Sequence, residues 1–232
     1  MAYTDISSRI LYEDNHLIAV NKLAGELVQG DKTGDEPLSD AVARYLKEKY
    51  NKPGNVFVGV IHRLDRPVSG IVLFAKTSKA LSRTNELFRK DSVIKKYHAI
   101  VERAPRALQG TLRHHLLKNA KQNKSYPVAP TQKGAKAASL HYQTIGKSDR
   151  YTLLEVELHT GRHHQIRVQL SANSTTIRGD LKYGARRSLP NGSISLHARQ
   201  LIFEHPIGDR GEINIVAPYP ADDGLWEQFK PL

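Results

Sequence analysis

Residues 151–158, YTLLEVEL, alternate with a period of two: Thr152, Leu154, Val156 and Leu158 fall on one side, Tyr151, Leu153, Glu155 and Glu157 on the other. Successive strand side chains point to opposite faces, so this spacing predicts a strand with one face apolar except for a threonine. KKYHAIVE from Lys95, GTLRHHLL and AASLHYQTI read as further strands in the same half of the chain. Upstream, Ile10 to Lys22 reads as a hairpin around an Asp-Asn turn. Leu38, Ala41, Val42, Tyr45 and Leu46 stand at helical spacing, with Ser39 as cap and NKPG as stop. Asn55–Ile61 and Gly70–Lys76 read as strands joined by HRLDRPVS, a loop that Pro67 keeps from being helical. A helix follows from Ser78, with Ala80, Leu81, Thr84, Leu87 and Phe88 on one face, and a second, short helix is expected in HHQIRVQLSA. Late strands are SLHARQLIFEH and EINIVAP, while LKNAKQNKSYPVAPTQKGAKA lacks periodicity and reads as an exposed loop or arm. With no internal repeat and no linker, the expectation is an α+β chain, one domain over residues 1–232, with a mixed, mainly antiparallel central sheet flanked by helices and loops.

Charge narrows the choice of partner. Thirty-five Lys and Arg against 23 Asp and Glu leave +12, with a pI near 9.8. From Arg103 to Ser148 there are nine basic residues and no acid, and from Thr160 to Phe203 seven basic residues face Asp180 alone. Two long stretches of one sign favour a phosphate-tracking surface over a generally basic one. Cysteine is absent, which excludes disulfides, thiolate metal sites and cysteine nucleophiles. The N-terminus has no apolar stretch of signal-peptide length, and IVLFA at 71–75 is far too short to span a bilayer. Cytoplasm is the expected location, with no membrane partner.

Three sites have the residue types for chemistry. Asp65 stands between Arg63 and Arg66 on the loop before an apolar strand. Neighbouring guanidinium groups favour its carboxylate form, which suits either a nucleophile or a salt-bridged turn. Tyr97 lies beside Lys95 and Lys96, an aromatic ring among cations of the kind that stacks on a base, although packing within a sheet explains it equally. Arg162 and Arg167 are five apart and so do not share a helical face. Two arginines on one short helix invite a carboxylate partner, and Asp65 is a candidate. The pairs His114-His115 and His163-His164 lack the i, i+4 spacing of helical metal ligands, and no glycine-rich phosphate loop occurs. Neither a metal nor a nucleotide cofactor is expected.

Taken in order, these stretches resemble the RluA-type family of RNA pseudouridine synthases. YEDNHLIAVNKLAG (12–25) is similar to the opening motif, HRLDRPVSGIVLFAK to the segment with the catalytic aspartate, KKYHAIV to the tyrosine motif and GRHHQIRVQL to the arginine motif. GDLKYGA (179–185) and SLHARQLIFEHP (195–206) are similar to later segments. Leu23 replaces the proline of the family's NKP, and Val68, His163 and Gln169 replace its usual Thr, Thr or Ser, and His. The opening motif begins at about residue 12, so the family's frequent N-terminal RNA-binding domain is not expected here, and RNA affinity is expected of the catalytic domain itself.

The resemblance implies a pseudouridine synthase fold and isomerisation of a flipped-out uridine in structured RNA, ribosomal or transfer, without a cofactor. Asp65 would be the nucleophile, Tyr97 would stack on the base and could take the C5 proton, and Arg167 would pair with Asp65. His62, Arg63, Arg66, Lys96, Arg162, Lys118, Lys121 and Lys124 are the residues expected to touch RNA. Nothing requires more than a monomer. Two other readings are a catalytically inactive RNA-binding or chaperone protein on the same scaffold and a nucleoside or glycoside hydrolase using Asp65. The first would not need the Asp65, Tyr97 and Arg167 trio, and the second needs another carboxylate that the matched motifs lack.

Overall fold

The computed structural model describes residues 6–229. In chain order its elements are β1 (Ile10–Glu13), β2 (Leu17–Lys22), α1 (Leu38–Lys49), β3 (Gly59–Val60), β4 (Ser69–Ala75) and α2 (Ser78–Arg89), then β5 (Ile94–Val101), β6 (Gln109–Asn119), β7 (Lys124–Val128), β8 (Lys136–Lys147) and β9 (Thr152–Leu158), and last α3 (Gln165–Ala172), β10 (Leu196–Glu204), β11 (Glu212–Val216) and α4 (Gly224–Gln228). The expected α+β class with a mainly antiparallel sheet is what the chain adopts. The chain divides into two compact units. One runs to Val93 and regains Arg199–Pro218; the other is Ile94–Ala198 with the chain from Tyr219 onward.

In the first unit the strands hydrogen-bond in the order β1, β2, β4, β10, with β3 added to β4 and β11 to β10. Every residue of β4 is buried, as in a strand covered on both faces. Leu17 and Ala19 of β2, Ile71 and Leu73 of β4, Ala80 of α2, and Leu201, Phe203, Ile213 and Ile215 form one core cluster. Thr77 caps α2 by accepting the N–H of Ala80. The expected Ser39 cap of α1 is not formed. The helix starts two residues earlier, at Leu38 with Pro37 in the cap position, and the N–H groups of Leu38 and Ser39 donate to the carbonyls of Leu27 and Val28 instead. A neighbouring backbone thus does the work of a side-chain cap. The strand expected over 55–61 shrinks to Gly59–Val60.

In the second unit the order is β5, β9, β8, β6, β7. The alternation in β9 appears as buried Thr152, Leu154, Val156 and Leu158, but Leu153 on the other side is buried too. It packs with Ile100 against Trp226 and Phe229, so the tail covers the face left open by the local pattern. The lysine-rich stretch read as a loose arm contains a strand. β7 pairs with β6 from His115↔Val128 to Asn119↔Lys124. Only Ser125 of β7 is buried, which is why the stretch shows no periodicity. Pro127, which has no N–H to donate, fits here because β7 ends the strand order.

Candidate active site

Asp65 lies in the first unit, in the turn that precedes β4, where the N–H of Val68 donates to its carbonyl at 3.0 Å. The turn is held from below by Lys22, the last residue of β2 and fully buried. Its ammonium donates to the carbonyls of Val68 at 2.6 Å, Leu23 at 3.0 Å, Arg66 at 3.1 Å and Asp65 at 3.4 Å. Four carbonyl oxygens converging on one buried amino group fix the backbone from Asp65 to Val68 and tie it to Leu23, just past the end of β2. Arg66 does not serve as the turn's internal salt bridge: its guanidinium reaches out to the Gly25 carbonyl at 2.9 Å and the Asp35 carboxylate at 2.6 Å. The N–H of Gly25 returns to the Arg66 carbonyl at 2.8 Å, and Gly25 holds φ +93, where a side chain would be strained. Arg63 is exposed. His62 is turned toward the fold, its Nε2 accepting the N–H of Leu73 at 3.1 Å and its ring stacked on Phe88.

Burial pushes the Lys22 amine down to about 7 from its ordinary 10.5, against the pull of Glu26 and Asp65 in the other direction. Between these two values the unfolded lysine keeps a proton that the folded one has released, so stability rises with pH across that window. In Lys22→Met the rise is absent. The four carbonyls lose their donor, which costs about 2 kcal/mol of stability and loosens the Asp65 turn. Denaturant titrations of both proteins at several pH values check this, and an identical pH slope in the variant would show that Lys22 does not titrate in the folded chain.

In the second unit, Tyr97 and Lys96 are consecutive on β5 and therefore point to opposite faces of the sheet. Lys96 pairs with Glu155 on the neighbouring β9 at 2.9 Å. Lys95, not Lys96, shares the face of Tyr97. Arg167 sits on α3, whose chain enters through His164 in the left-handed region at φ +54. The side chain of Gln165 fastens this entry, accepting from the N–H of Arg162 at 2.9 Å and donating to the carbonyl of Ser139 at 3.0 Å. Arg162 is exposed, with its Nε donating to the carbonyl of Ala137 at 2.9 Å.

Arg167 is buried, and its guanidinium makes a two-pronged ion pair with Asp180: Nε to Oδ2 at 2.7 Å and Nη2 to Oδ1 at 2.8 Å. Asp180 is 1 % exposed. Sequence reasoning missed this partner. The signal was present, since Asp180 is the lone acid from Thr160 to Phe203. Lys118 and Lys121 are exposed on the β6–β7 hairpin, and the ammonium of Lys124 stands 5.3 Å from the ring of Tyr126. Of the residues that differ from the family pattern, Leu23 is exposed, Val68 is buried and gives its carbonyl to Lys22. Gln169 is buried and donates to the Leu112 carbonyl, and His163 contacts Ser125 and Asn123 of the hairpin. Among the described residues no His, Cys, Asp and Glu group is arranged to hold a metal ion, and no helix is long and apolar enough to cross a membrane.

Residues 16–172 match the family model described as RNA pseudouridylate synthase. The chain is 31 % identical over 228 residues to the ribosomal large subunit pseudouridine synthase D of Zymomonas mobilis, covering 94 % of this chain and 71 % of that protein. It is 33 % identical over 216 residues to the uncharacterized RNA pseudouridine synthase YhcT of Bacillus subtilis, covering 92 % and 69 %. Among solved structures, the human RNA pseudouridylate synthase domain containing 4 superposes with a TM-score of 0.78 at 26 % identity, over 94 % of this chain and 90 % of that one.

Proposed function

Because the chain belongs to the RluA-type group of the RNA pseudouridylate synthase family, we propose that it uses Asp65 as nucleophile on a uridine flipped out of ribosomal or transfer RNA. The observation behind this reading is that the matched residues 16–172 contain the aspartate, tyrosine and arginine motifs together. Flipping unstacks the nucleotide, at a cost of about a few kcal/mol. The Asp65 carboxylate attacks the uracil ring or the ribose anomeric carbon, and the N-glycosidic bond breaks. The uracil turns, a carbon–carbon bond forms from C5 to the ribose, the bond to the Asp65 carboxylate breaks, the C5 proton leaves and N1 gains a proton. Tyr97 stacks on the base and takes that proton, while Arg167 holds Asp65 oriented and charged. The reaction is redox-neutral, so no cofactor is required. Monomeric action in the cytoplasm completes the proposal.

His62, Arg63, Arg66, Lys96, Arg162, Lys118, Lys121 and Lys124 form the proposed RNA contacts, with the hairpin lysines foremost because no acid lies between residues 103 and 148. Replacing Lys118, Lys121 and Lys124 by Gln lowers the salt slope of RNA binding by roughly 2. Filter binding from low to high salt reads this, and an unchanged slope removes the hairpin from the footprint. The substrate class is tested by incubating purified protein with unmodified ribosomal and transfer RNA transcripts separately and mapping pseudouridine in each. Ribosomal RNA comes first, since one relative bears a ribosomal large subunit name. Modification of neither overturns the substrate assignment.

A further inference from the structure

Two residues of one short turn meet the Arg167 guanidinium. Asp180 takes the Nε–Nη2 edge of its guanidinium, and three residues later Tyr183, whose N–H donates to the Asp180 carbonyl at 3.0 Å, places its ring 5.2 Å from the Arg167 Cζ. Tyr183 is itself buried and bolted down. Its hydroxyl accepts the N–H of Ser125 at 2.9 Å and lies 3.0 Å from His164 Nδ1 and 3.3 Å from the Ser125 carbonyl. His164 meets the ring edge-on, and the ammonium of Lys124 lies 5.1 Å from the ring centre. One phenol thus joins α3, the β6–β7 hairpin and the guanidinium of Arg167.

We propose that Tyr183 is a positioning residue for Arg167: its ring fixes the plane of the guanidinium, and its hydroxyl fixes the ring to the hairpin that carries the lysines. The Asp180 carboxylate engages one edge of the guanidinium, and the negative face of the ring adds an attraction for the cation that an aliphatic side chain of similar size cannot supply. Seating of the hairpin, through Ser125, then sets the ring and with it the arginine. The inference rests on the reading above, in which Arg167 serves the reaction.

The test separates the charge on the ring from its volume. Tyr183→Phe is compared with mono-, di- and trifluorinated phenylalanine at the same position, which withdraw charge from the ring face at nearly constant size. Melting temperature is recorded alongside kcat and KM for RNA. The turnover at saturating RNA falls stepwise with fluorination, by about tenfold across the series, while KM and melting temperature hold. The same fall persists in a Lys124→Gln background, which assigns it to Arg167. An active series with kcat indifferent to fluorination, or an effect lost with Lys124, overturns the inference and leaves the function standing. An inactive wild type, or a fully active Arg167→Met, overturns the reading it rests on and the inference with it.

Discussion

Asp65→Asn abolishes turnover, by at least about four orders of magnitude, while RNA binding and melting temperature stay at wild-type values. The amide has nearly the size of the carboxylate but lacks its negative charge and nucleophilicity. The backbone of the turn is held by its carbonyl oxygens on Lys22, and the substitution leaves those oxygens in place. Single-turnover assays on an RNA that the wild type modifies give the rate, and gel-shift titration gives the affinity. A variant that isomerises uridine at the wild-type rate removes Asp65 from the chemistry. A variant that fails to bind would mean that Asp65 serves the RNA surface instead.

Asp180→Ala has the second largest expected effect, and its first symptom is stability. The carboxylate is 1 % and the guanidinium's side chain 6 % exposed, so removing the acid strands a buried cation. Breaking such a pair from one side costs about 3–5 kcal/mol, which lowers the melting temperature by roughly 10 °C in a chain of this size. Activity is lost even at temperatures where the variant remains folded, because Arg167 has lost the partner on its Nε–Nη2 edge. The double variant Arg167→Met/Asp180→Leu recovers most of the stability, since neither charge is left alone, yet stays inactive. Calorimetry on the two variants decides the point. If the double variant is no more stable than Asp180→Ala, the pair is not the source of the loss.

How far the sequence could be read depended on whether a residue's reason was local. β9 was legible from its alternation and α2 from its amphipathic spacing, because each buries one face against what lies beside it. Arg167 was legible as a helix residue in a recognisable motif, but its carboxylate lies thirteen residues on, across a loop, and nothing in the helix points to it. Lys22 was invisible as a keystone. At the end of a strand a lysine reads as surface, and its burial depends on carbonyls some forty residues later. The hairpin strand β7 was read as loop because its order comes from pairing with β6 and from Ser125 and Tyr183, not from a pattern of its own. Lys96 was grouped with Tyr97 by adjacency, although consecutive strand residues face opposite ways and Lys96 pairs with Glu155.

The most direct measurement is tritium release from RNA labelled at uridine C5, using purified wild type and ribosomal and transfer RNA that lack pseudouridine. Isomerisation moves the glycosidic bond to C5 and expels its hydrogen, so the account predicts release to water by the wild type and none by Asp65→Asn. Tight RNA binding with no release from either RNA would contradict it and leave an RNA-binding protein on a synthase scaffold.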